Sequence, residues 1–364
     1  MKQAGGVRNQ NFQRMLWPLV ALAGILLFNL FFTPGFFHIE IKDGHFFGSL
    51  VDIANRASPV MLLSIGMTLV FATGGVDLSV GAIMAISGAA AATVIRPDYV
   101  KGVLEYGELQ PLLLVIGIPM VIALIAGLWN GLLVAYIGIQ PIIATLILMV
   151  AGRGIAQLIT QGQIVVFIHE PFQFLGSGFL LGLPFPIILV ILTSALTYLL
   201  TRRTGLGLFI EAIGANSVAS RFMGIREKQI TLAVYIFSGL CSGLAGLIVC
   251  ADIKAADANN AGLFLELDAI AAVIIGGTMW GGRYTLLGSI VGTLIIQSLT
   301  TTILTRGIAP EVTLVFKAVV IIVVALIQSE KFRHLFSRQL AARKLTARKS
   351  PGPDISGPDV SGLS

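Results

Sequence analysis

One carboxylate, Asp77, lies inside the long apolar stretch ATGGVDLSVGAIMAISGAA at residues 72–90. A charged side chain in so apolar a stretch is costly unless it caps a helix, pairs with another group or faces water. The simplest prediction is an N-cap, in which Asp77 accepts backbone N–H groups of a helix that begins at Leu78. Two other hypotheses stay open: the carboxylate holds a break between two helices open, or it carries protons. Proton transport would need a chain of intramembrane Glu or His residues, and none accompanies Asp77 in the sequence.

A second charge, Arg153, lies in another apolar stretch, and Gln157 follows it by one helical turn. Arg153 lines a pore or bridges two spans, or its guanidinium extends to the outer membrane interface. Other polar residues of the apolar stretches have two explanations as well, a path for a hydroxylated solute or interhelical hydrogen bonds. These residues are Asn130, Gln140, Thr145 and Gln297.

Residues for covalent or metal chemistry are scarce. The two cysteines, Cys241 and Cys250, lie in one apolar run, and the four histidines all lie outside the apolar runs. Neither arrangement matches a disulfide framework or a metal site. No Gly-Lys dipeptide occurs in the chain, so a Walker loop is excluded. We therefore predict that this chain is not an enzyme and binds no metal or cofactor itself.

The elements that position these residues are apolar helices. Of the 364 residues, 56% are hydrophobic and 12% are charged, against about 25% charged in a typical soluble domain. Apolar runs of about 20 residues recur along the chain, which is typical of a polytopic membrane protein. We predict an all-α fold with about ten transmembrane helices, near 16–34, 59–74, 78–96, 111–136, 141–160, 184–201, 231–251, 268–281, 286–305 and 312–329.

Lysine and arginine indicate the orientation of these spans, because basic residues favour the cytoplasmic side. Sixteen lie on one side and six on the other, while Arg153 and Lys317 fall within spans. This distribution predicts a cytoplasmic tail at 1–15, a transmembrane domain at 16–330 and a cytoplasmic tail at 331–364. The last tail is basic at first and then rich in Pro, Gly and Ser, which is typical of disorder. The net charge of +6 then reflects topology and anionic lipid rather than nucleic acid.

Two glycine-rich stretches, GGVDLSVGAIMAISG at 74–88 and GGTMWGGRYTLLGSIVG at 276–292, resemble each other. Each interrupts a pair of apolar runs, and the first break is predicted at Thr73, Gly74 and Gly75. Spans two to five and seven to ten are therefore a candidate pair of related halves. Glycine-interrupted segments in matching halves often mark a transport path.

The segment 202–229 is the long cytoplasmic loop, with charged ends and an amphipathic middle. Its small residues alternate with large apolar ones, so it could dock closely in a groove of another protein. The alternative is an ordinary amphipathic helix at the membrane interface. On the outer side, residues 251–273 form an acidic segment that contains Asn259 and Asn260, where a soluble partner or a sugar could bind; the alternative is a solvated loop. The residues that we predict to line a path or form the helix break are Gly74, Gly75, Asp77, Ser79, Asn130, Gln140, Arg153, Gln157, Asn259 and Asn260.

Three stretches give the chain a resemblance to a known family: GGVDLSVGAIMAISG, AIGANSVASRFMGI and ADANNAGLFLELDAIAAVIIGG. Together they resemble the permease subunits of ABC sugar importers of the ribose/galactose class, over about residues 47–328. The third stretch and LILMVAGRGIAQLIT at 146–160 resemble the galactofuranose branch of that class. In VASRFMG, Val218 stands where the family's coupling motif usually has an acidic residue. The resemblance implies ATPase-coupling roles for Glu211, Gly214, Asn216, Ala219, Ser220, Gly224 and Ile225.

The resemblance also implies the partners and the mechanism. Two permeases pair in the cell inner membrane, as a heterodimer by analogy with the galactofuranose class or as a homodimer. A periplasmic binding protein delivers the sugar, and cytoplasmic ATPase subunits bind the 202–229 loops and use ATP and Mg²⁺. Two rival hypotheses remain: an ion-coupled secondary sugar transporter, and a membrane protein with a purely structural or interaction role.

Overall fold

The computed structural model describes residues 3–33, 35–96, 110–309, 312–319 and 322. The chain divides into two units, Met1–Lys317 and Ala318–Ser364. In the second unit only Ala318, Val319 and Ile322 are described, and all three are helical. The predicted tail at 331–364 and the end of the predicted tenth span lie outside the described residues.

The first unit is helical, with short strands in its loops. The helices with complete bounds are α1 Gln3–Phe32, α2 Ser49–Ala72, α3 Val80–Ile95, α4 Leu112–Leu132, α5 Pro141–Ile159, α6 Glu170–Ser177, α7 Phe185–Arg203, α8 Leu206–Ala215, α9 Ser217–Phe222, α10 Glu227–Ile253, α11 Leu265–Ile275 and α12 Leu286–Thr305. A π-helical turn, Leu133–Ile137, continues α4. The strands are β1 Glu40–Lys42, β2 His45–Phe47, β3 Ile164–Val166, β4 Phe179–Leu180, β5 Leu183–Pro184 and β6 Ala255–Asp257.

The strands pair as three antiparallel two-stranded ribbons. β1 pairs with β2 and β4 with β5 as hairpins, whereas β3 pairs with β6 across a large separation in sequence. Val165 lies opposite Ala256 in that third ribbon, and both side chains are buried. The third ribbon therefore joins the end of α5 to the end of α10.

α2 and α10 form the centre of the helical bundle. They pack antiparallel, because Gly66 of α2 contacts Ser238 of α10 whereas Gly75, beyond the end of α2, contacts Tyr235. α2 also packs antiparallel to α12, because the Ser64 hydroxyl lies 3.1 Å from the Thr293 hydroxyl whereas Thr68 donates to the Ser289 hydroxyl at 2.7 Å. Seventeen residues of α2 are buried, so this helix is enclosed by protein along most of its length.

Small residues allow the closest helix contacts. A methyl group at Gly239 of α10 would lie 2.6 Å from the Ala123 carbonyl oxygen and 2.9 Å from the Gly127 Cα of α4. A methyl group at Gly292 of α12 would lie 2.1 Å from the Ala272 carbonyl oxygen of α11. The glycines spaced as GxxxG thus let two backbones touch, which is their ordinary role in membrane helices.

α2 ends at Ala72, and the next turn has no helical continuation. Gly74 has φ +83°, a conformation that costs a side-chain-bearing residue about 1–2 kcal/mol. The Gly74 N–H donates to the Phe71 carbonyl (3.0 Å) and the Gly75 N–H to the Val70 carbonyl (3.0 Å). This pair of bonds is the Schellman arrangement, which satisfies the last carbonyls of a helix. The break between α2 and α3 therefore starts at a helix end whose last carbonyls are satisfied by hydrogen bonds.

The chain between α10 and α11 turns back into the bundle. α3 runs parallel to α10, since Met84 contacts Gly246 and Gly88 contacts Cys250. By the same register, Gly81 at the start of α3 lies near the middle of α10. Gly262 contacts Gly81, so residues 258–264 return from the end of α10 about half-way along its length. We call residues 258–264 the re-entrant segment.

The structure confirms the all-α membrane class but meets the count of ten spans only roughly. Six helices among the described residues are long and apolar enough to cross a membrane: α2, α4 with its π-helical turn, α5, α7, α10 and α12. α3 and α11 are shorter, about 24 and 17 Å, against a hydrocarbon core of about 30 Å. Both begin near the middle of the bundle, which is why apolar runs of span length give shorter helices.

The two glycine-rich stretches do not occupy equivalent places in the proposed halves. The first follows α2 and the second follows α11, so they fall between spans two and three and between spans eight and nine. Instead the second stretch bonds the end of α2, directly before the first: the Gly281 N–H donates to the Phe71 carbonyl and the Gly282 N–H to the Ala72 carbonyl. Another feature matches better, because α2 and α10 are each followed by an aspartate turn and a short helix. Related halves remain a prediction, with Asp77 corresponding to Asp257.

Candidate functional site

Asp77 lies at the centre of a buried polar cluster in the break before α3, and its exposure is 0%. One carboxylate oxygen accepts hydrogen bonds from the Ser79 N–H (3.1 Å) and the Ser79 hydroxyl (2.6 Å). The other accepts from the Ser238 hydroxyl of α10 (2.8 Å). Ser238 is about 17 Å along α10 from its first residue, so the carboxylate is deep within the bundle.

The geometry corrects the prediction that Asp77 is the N-cap of the next helix. α3 begins at Val80, its N-cap is Ser79, and no side chain caps it. Asp77 instead lies two residues earlier and accepts the N–H of the N-cap residue itself, as in an Asx turn. The carboxylate therefore fixes the turn that leads into α3, and Ser238 attaches this turn to α10.

Asn130 adds a third helix to the cluster. Its side-chain amide donates to the Ser79 hydroxyl at 2.7 Å and lies 3.5 Å from the nearer Asp77 oxygen. Asn130 is fully buried near the end of α4. Thr145 of α5 and Tyr235 of α10 also place their hydroxyls 3.4 Å from the Val76 carbonyl oxygen. The break is thus held by α4, α5 and α10 together.

α8 presses on the end of α2 through main-chain atoms. A methyl group at Gly214 would lie 1.9 Å from the Ala72 carbonyl oxygen and 2.5 Å from the Gly282 nitrogen. The hydrogen bonds from Gly281 and Gly282 to α2 complete this contact. We call the meeting of Gly214, the end of α2 and residues 276–282 the backbone joint. It lies directly before the break that contains Asp77.

α9 has an exposed apolar surface beside the backbone joint. Val218, Phe222 and Met223 are 59%, 88% and 82% exposed. The Asn216 side chain caps α9 by accepting the Ala219 N–H at 2.9 Å. α9 ends at Phe222, and Gly224, with φ +81°, completes the same Schellman arrangement that ends α2. The predicted coupling loop 202–229 is thus two short helices between Arg203 and Glu227, each with a defined boundary.

The remaining predicted coupling residues surround this surface. Ala219 and Gly224 are exposed on α9 and its end, whereas Ser220 is buried beneath it. Ile225 is half-buried, and its N–H donates to the Ser220 carbonyl at 3.0 Å. Glu211 is half-buried on α8. These residues therefore belong to one continuous segment, in which some side chains are exposed and others are buried or half-buried beneath them.

α5 and the re-entrant segment bring another group of predicted residues together. Arg153 donates to the Ala261 carbonyl at 2.6 Å, and Gln157 donates to the Asn259 side chain at 3.0 Å. Asn260 donates to Asp257 at 2.8 Å. Arg153 therefore neither extends to the interface alone nor stays unpaired, because it bonds the re-entrant segment.

Some predicted residues lie apart from these groups. Gln140 is the exposed residue before α5, and Gln297 of α12 lies 3.5 Å from the Thr301 hydroxyl. Lys317, a second basic residue within a predicted span, forms an ion pair with Asp268 (2.7 Å), and both side chains are mostly buried. The sequence does not point to Ser238, Tyr235 and Glu266, since nothing in it indicates which distant segment each one contacts.

Broken helices, polar groups buried at a break, and a re-entrant segment held by α5 are typical of helical membrane transport proteins. Residues 49–325 match the family described as the branched-chain amino acid transport system / permease component, and the chain belongs to that family. This assignment confirms the predicted permease class.

Several sugar permeases are similar to the chain over nearly its whole length. The galactofuranose transporter permease of Escherichia coli K12 is 52% identical over 326 residues, covering 88% of this chain and 92% of that protein. The fructose import permease of Bifidobacterium longum is 36% identical, covering 92% and 95%, and the ribose import permease of E. coli K12 is 32% identical, covering 86% and 93%. No solved structure gives a significant match to the chain.

The family assignment settles three coarse points. The chain is a multi-pass membrane protein, and as a permease component it is a non-catalytic part of a larger transport system. The relatives favour the importer hypothesis over the ion-coupled alternative. The predicted resemblance to sugar permeases is also confirmed.

Proposed function

We propose that this chain is a permease subunit of an ATP-driven sugar importer in the cell inner membrane, and that its sugar is galactofuranose or a related monosaccharide. Both termini lie in the cytoplasm, in keeping with the distribution of Lys and Arg. Separate ATPase subunits bind ATP and Mg²⁺, and a periplasmic binding protein delivers the sugar. A second permease completes the path, as a heterodimer, with a homodimer as the alternative. The similarity to the galactofuranose permease supports the choice of sugar.

The observation that carries the coupling proposal is the exposed apolar surface of α9. Three large apolar side chains within six residues are costly in contact with water. A helix with such a face is suited to binding in a groove of another protein. The surface belongs to the segment where the resemblance places the ATPase contact, so we assign it to the ATPase.

The backbone joint supports a route from that surface to the path. Movement of α9 displaces α8, because the two helices are joined only by Asn216. α8 in turn contacts the end of α2 and residues 276–282 at Gly214. The next residues along the chain from α2 are the break and its Asp77 cluster. ATP-driven movement therefore reaches the place where α3, α4, α5 and α10 meet.

The ion-coupled alternative needs a carboxylate that binds and releases an ion. Asp77 already accepts three hydrogen bonds from Ser79 and Ser238, which suits a fixed structural role. Uptake by Asp77→Asn vesicles that still requires ATP would count against ion coupling. Uptake driven by an ion gradient in the absence of ATP would favour it.

We expect Phe222→Asp to reduce copurification of the ATPase about tenfold or more, since a charge would have to be desolvated in an apolar contact. The measurement is a mild-detergent pull-down of the tagged permease, read by mass spectrometry. The matched control is Leu181→Asp, because Leu181 is equally exposed (88%) between β4 and β5. Equal ATPase recovery with Phe222→Asp and wild type would refute the docking surface, and a pull-down without any ATPase would refute the importer proposal.

A further inference from the structure

Glu266 has a buried carboxylate oxygen with no hydrogen-bond partner. It is the second residue of α11, and its exposure is 2%. Its Oε2 atom makes no hydrogen bond to any described residue. Unpaired buried oxygens of charged groups are rare in native proteins, because the lost hydration is not replaced. Within the part of the chain that the structure describes, this oxygen therefore keeps its hydrogen-bonding capacity free for another partner.

The oxygen points to the place where α3 and the re-entrant segment cross. A methyl group at Gly81 would lie 2.5 Å from Glu266 Oε2 and 2.3 Å from the Gly262 carbonyl oxygen. The absence of a side chain at Gly81 is thus what leaves room for the carboxylate. The crossing is also near the middle of α10, the level at which a central substrate site is expected in a transporter with broken helices.

The charges nearby leave Glu266 available. Arg153 attracts the Glu266 carboxylate electrostatically, but among the described residues no ion pair joins them. The Arg153 guanidinium instead donates to Ala261, in the segment just before α11. The neighbouring carboxylate, Asp268, is neutralised by Lys317. The positive charge of Arg153 therefore stabilises the charged Glu266 carboxylate, while the hydrogen bond of Arg153 goes to Ala261.

A purely structural role explains only part of this arrangement. An acidic residue in the first turn stabilises a helix through its dipole, and the Glu266 carboxyl does interact with its own N–H. That interaction does not require the second oxygen to be buried against Gly81. An exposed carboxylate in the same turn would stabilise the dipole at lower desolvation cost.

We propose that Glu266 is a sugar-contacting residue of the transport path, whose Oε2 accepts a hydrogen bond from a hydroxyl of the passing sugar. The inference rests on the proposed function and adds a specificity-determining residue to it. A hydroxyl is a suitable partner because a charge-assisted O–H···O⁻ bond is about twice as strong as a neutral one. The described conformation is closed at this level, and the sugar reaches Glu266 when the Gly81–Gly262 contact opens.

The test compares sugars that differ by one hydroxyl. Complete importer is reconstituted in vesicles with wild-type permease, Glu266→Gln, or Glu170→Gln, which makes the same change at an exposed acidic residue on α6. Uptake of D-galactose, whose solutions contain the furanose form, is measured beside its monodeoxy analogues. Saturating amounts of sugar-loaded binding protein remove differences in receptor affinity.

We expect wild type and Glu170→Gln to transport one analogue about tenfold or more slowly than D-galactose, because a path built to bond a hydroxyl rejects its absence. Glu266→Gln should lose most of this discrimination. An unchanged pattern of discrimination, with any uniform loss of rate, would mean that Glu266 is structural and would overturn the inference alone. Wild-type vesicles without uptake would overturn the proposed function as well.

A second measurement does not depend on rates. Cys241 and Cys250 are buried, so a Glu266→Cys permease adds one new candidate thiol among the described residues. We expect a small charged thiol reagent to label it during ATP-driven turnover and not at rest. No labelling in either state would show that the position never faces the path.

Discussion

Asp77 shows what the sequence reveals about a single residue and what it cannot. A carboxylate in an apolar stretch, next to two glycines, indicates a turn between helices. The contact with Ser238 was not predictable, because 161 residues separate the two and several other helices also carry Ser or Thr. The same limit hid Glu266, which resembled any acidic loop residue in the sequence. Local patterns predict turns, whereas partners depend on how helices pack.

The three hydrogen bonds at Asp77 predict an order of variants. Asp77→Asn keeps one acceptor for Ser79 and a group that the Ser238 hydroxyl can bond by rotating. Asp77→Ala leaves two hydroxyls and an N–H without their acceptor, at about 1–3 kcal/mol for each buried group. We therefore expect Asp77→Ala to unfold at a markedly lower temperature than Asp77→Asn. Thermal unfolding of the purified permease in detergent measures this, and equal midpoints would argue against the cluster as a structural tie.

At the scale of elements, the apolar runs located the helices well and their ends less well. The predicted span 268–281 became α11, Leu265–Ile275, because hydropathy does not register a turn at Gly276 and Gly277. The β3–β6 ribbon was missed, since strands of three residues carry too little pattern to detect. Helix ends are set by glycine conformation and tertiary contact, and only the first of these is visible in the sequence.

The backbone joint predicts that Gly214→Ala is far more harmful than a typical glycine substitution. The added methyl group would meet the Ala72 carbonyl, and main-chain atoms cannot move aside as a flexible side chain can. We expect a cost of about 1–3 kcal/mol from this overpacking. Sugar-stimulated ATP hydrolysis by the complete importer should fall with it.

Gly117→Ala in α4 is the matched control, because nothing lies within 4 Å of a methyl group there. It should be neutral or stabilise the helix by up to about 1 kcal/mol. Both variants are compared by thermal unfolding and by stimulated ATP hydrolysis. Similar behaviour of the two would show that α8 does not press on α2 as described.

At the scale of the whole molecule, transport requires parts of the bundle to separate. The contact between Gln157 and Asn259 joins α5 to the re-entrant segment, whereas the β3–β6 ribbon joins the end of α5 to the end of α10. We expect the first contact to open during each cycle and the ribbon to stay closed.

Disulfide trapping tests this difference. Oxidising a permease with Gln157→Cys and Asn259→Cys should block uptake, and a reductant should restore it. The control pair is Val166→Cys with Ala255→Cys, which face each other across the ribbon. Normal uptake by the oxidised first pair would contradict the opening, and a block by the control pair would show that the ribbon also moves.

The backbone joint has a consequence for how such a protein can diversify. Its contacts are main-chain hydrogen bonds and glycine surfaces, so they place few demands on the surrounding side chains. The groups that could touch a cargo, by contrast, are side chains on α5, α11 and the re-entrant segment. Main-chain atoms thus form the contacts that transmit movement, and side-chain atoms form the contacts that could touch a cargo. Mutations of these side chains can therefore change which molecule is transported while the backbone joint stays intact. A library that randomises only the side chains on α5, α11 and the re-entrant segment would retain the response to ATP.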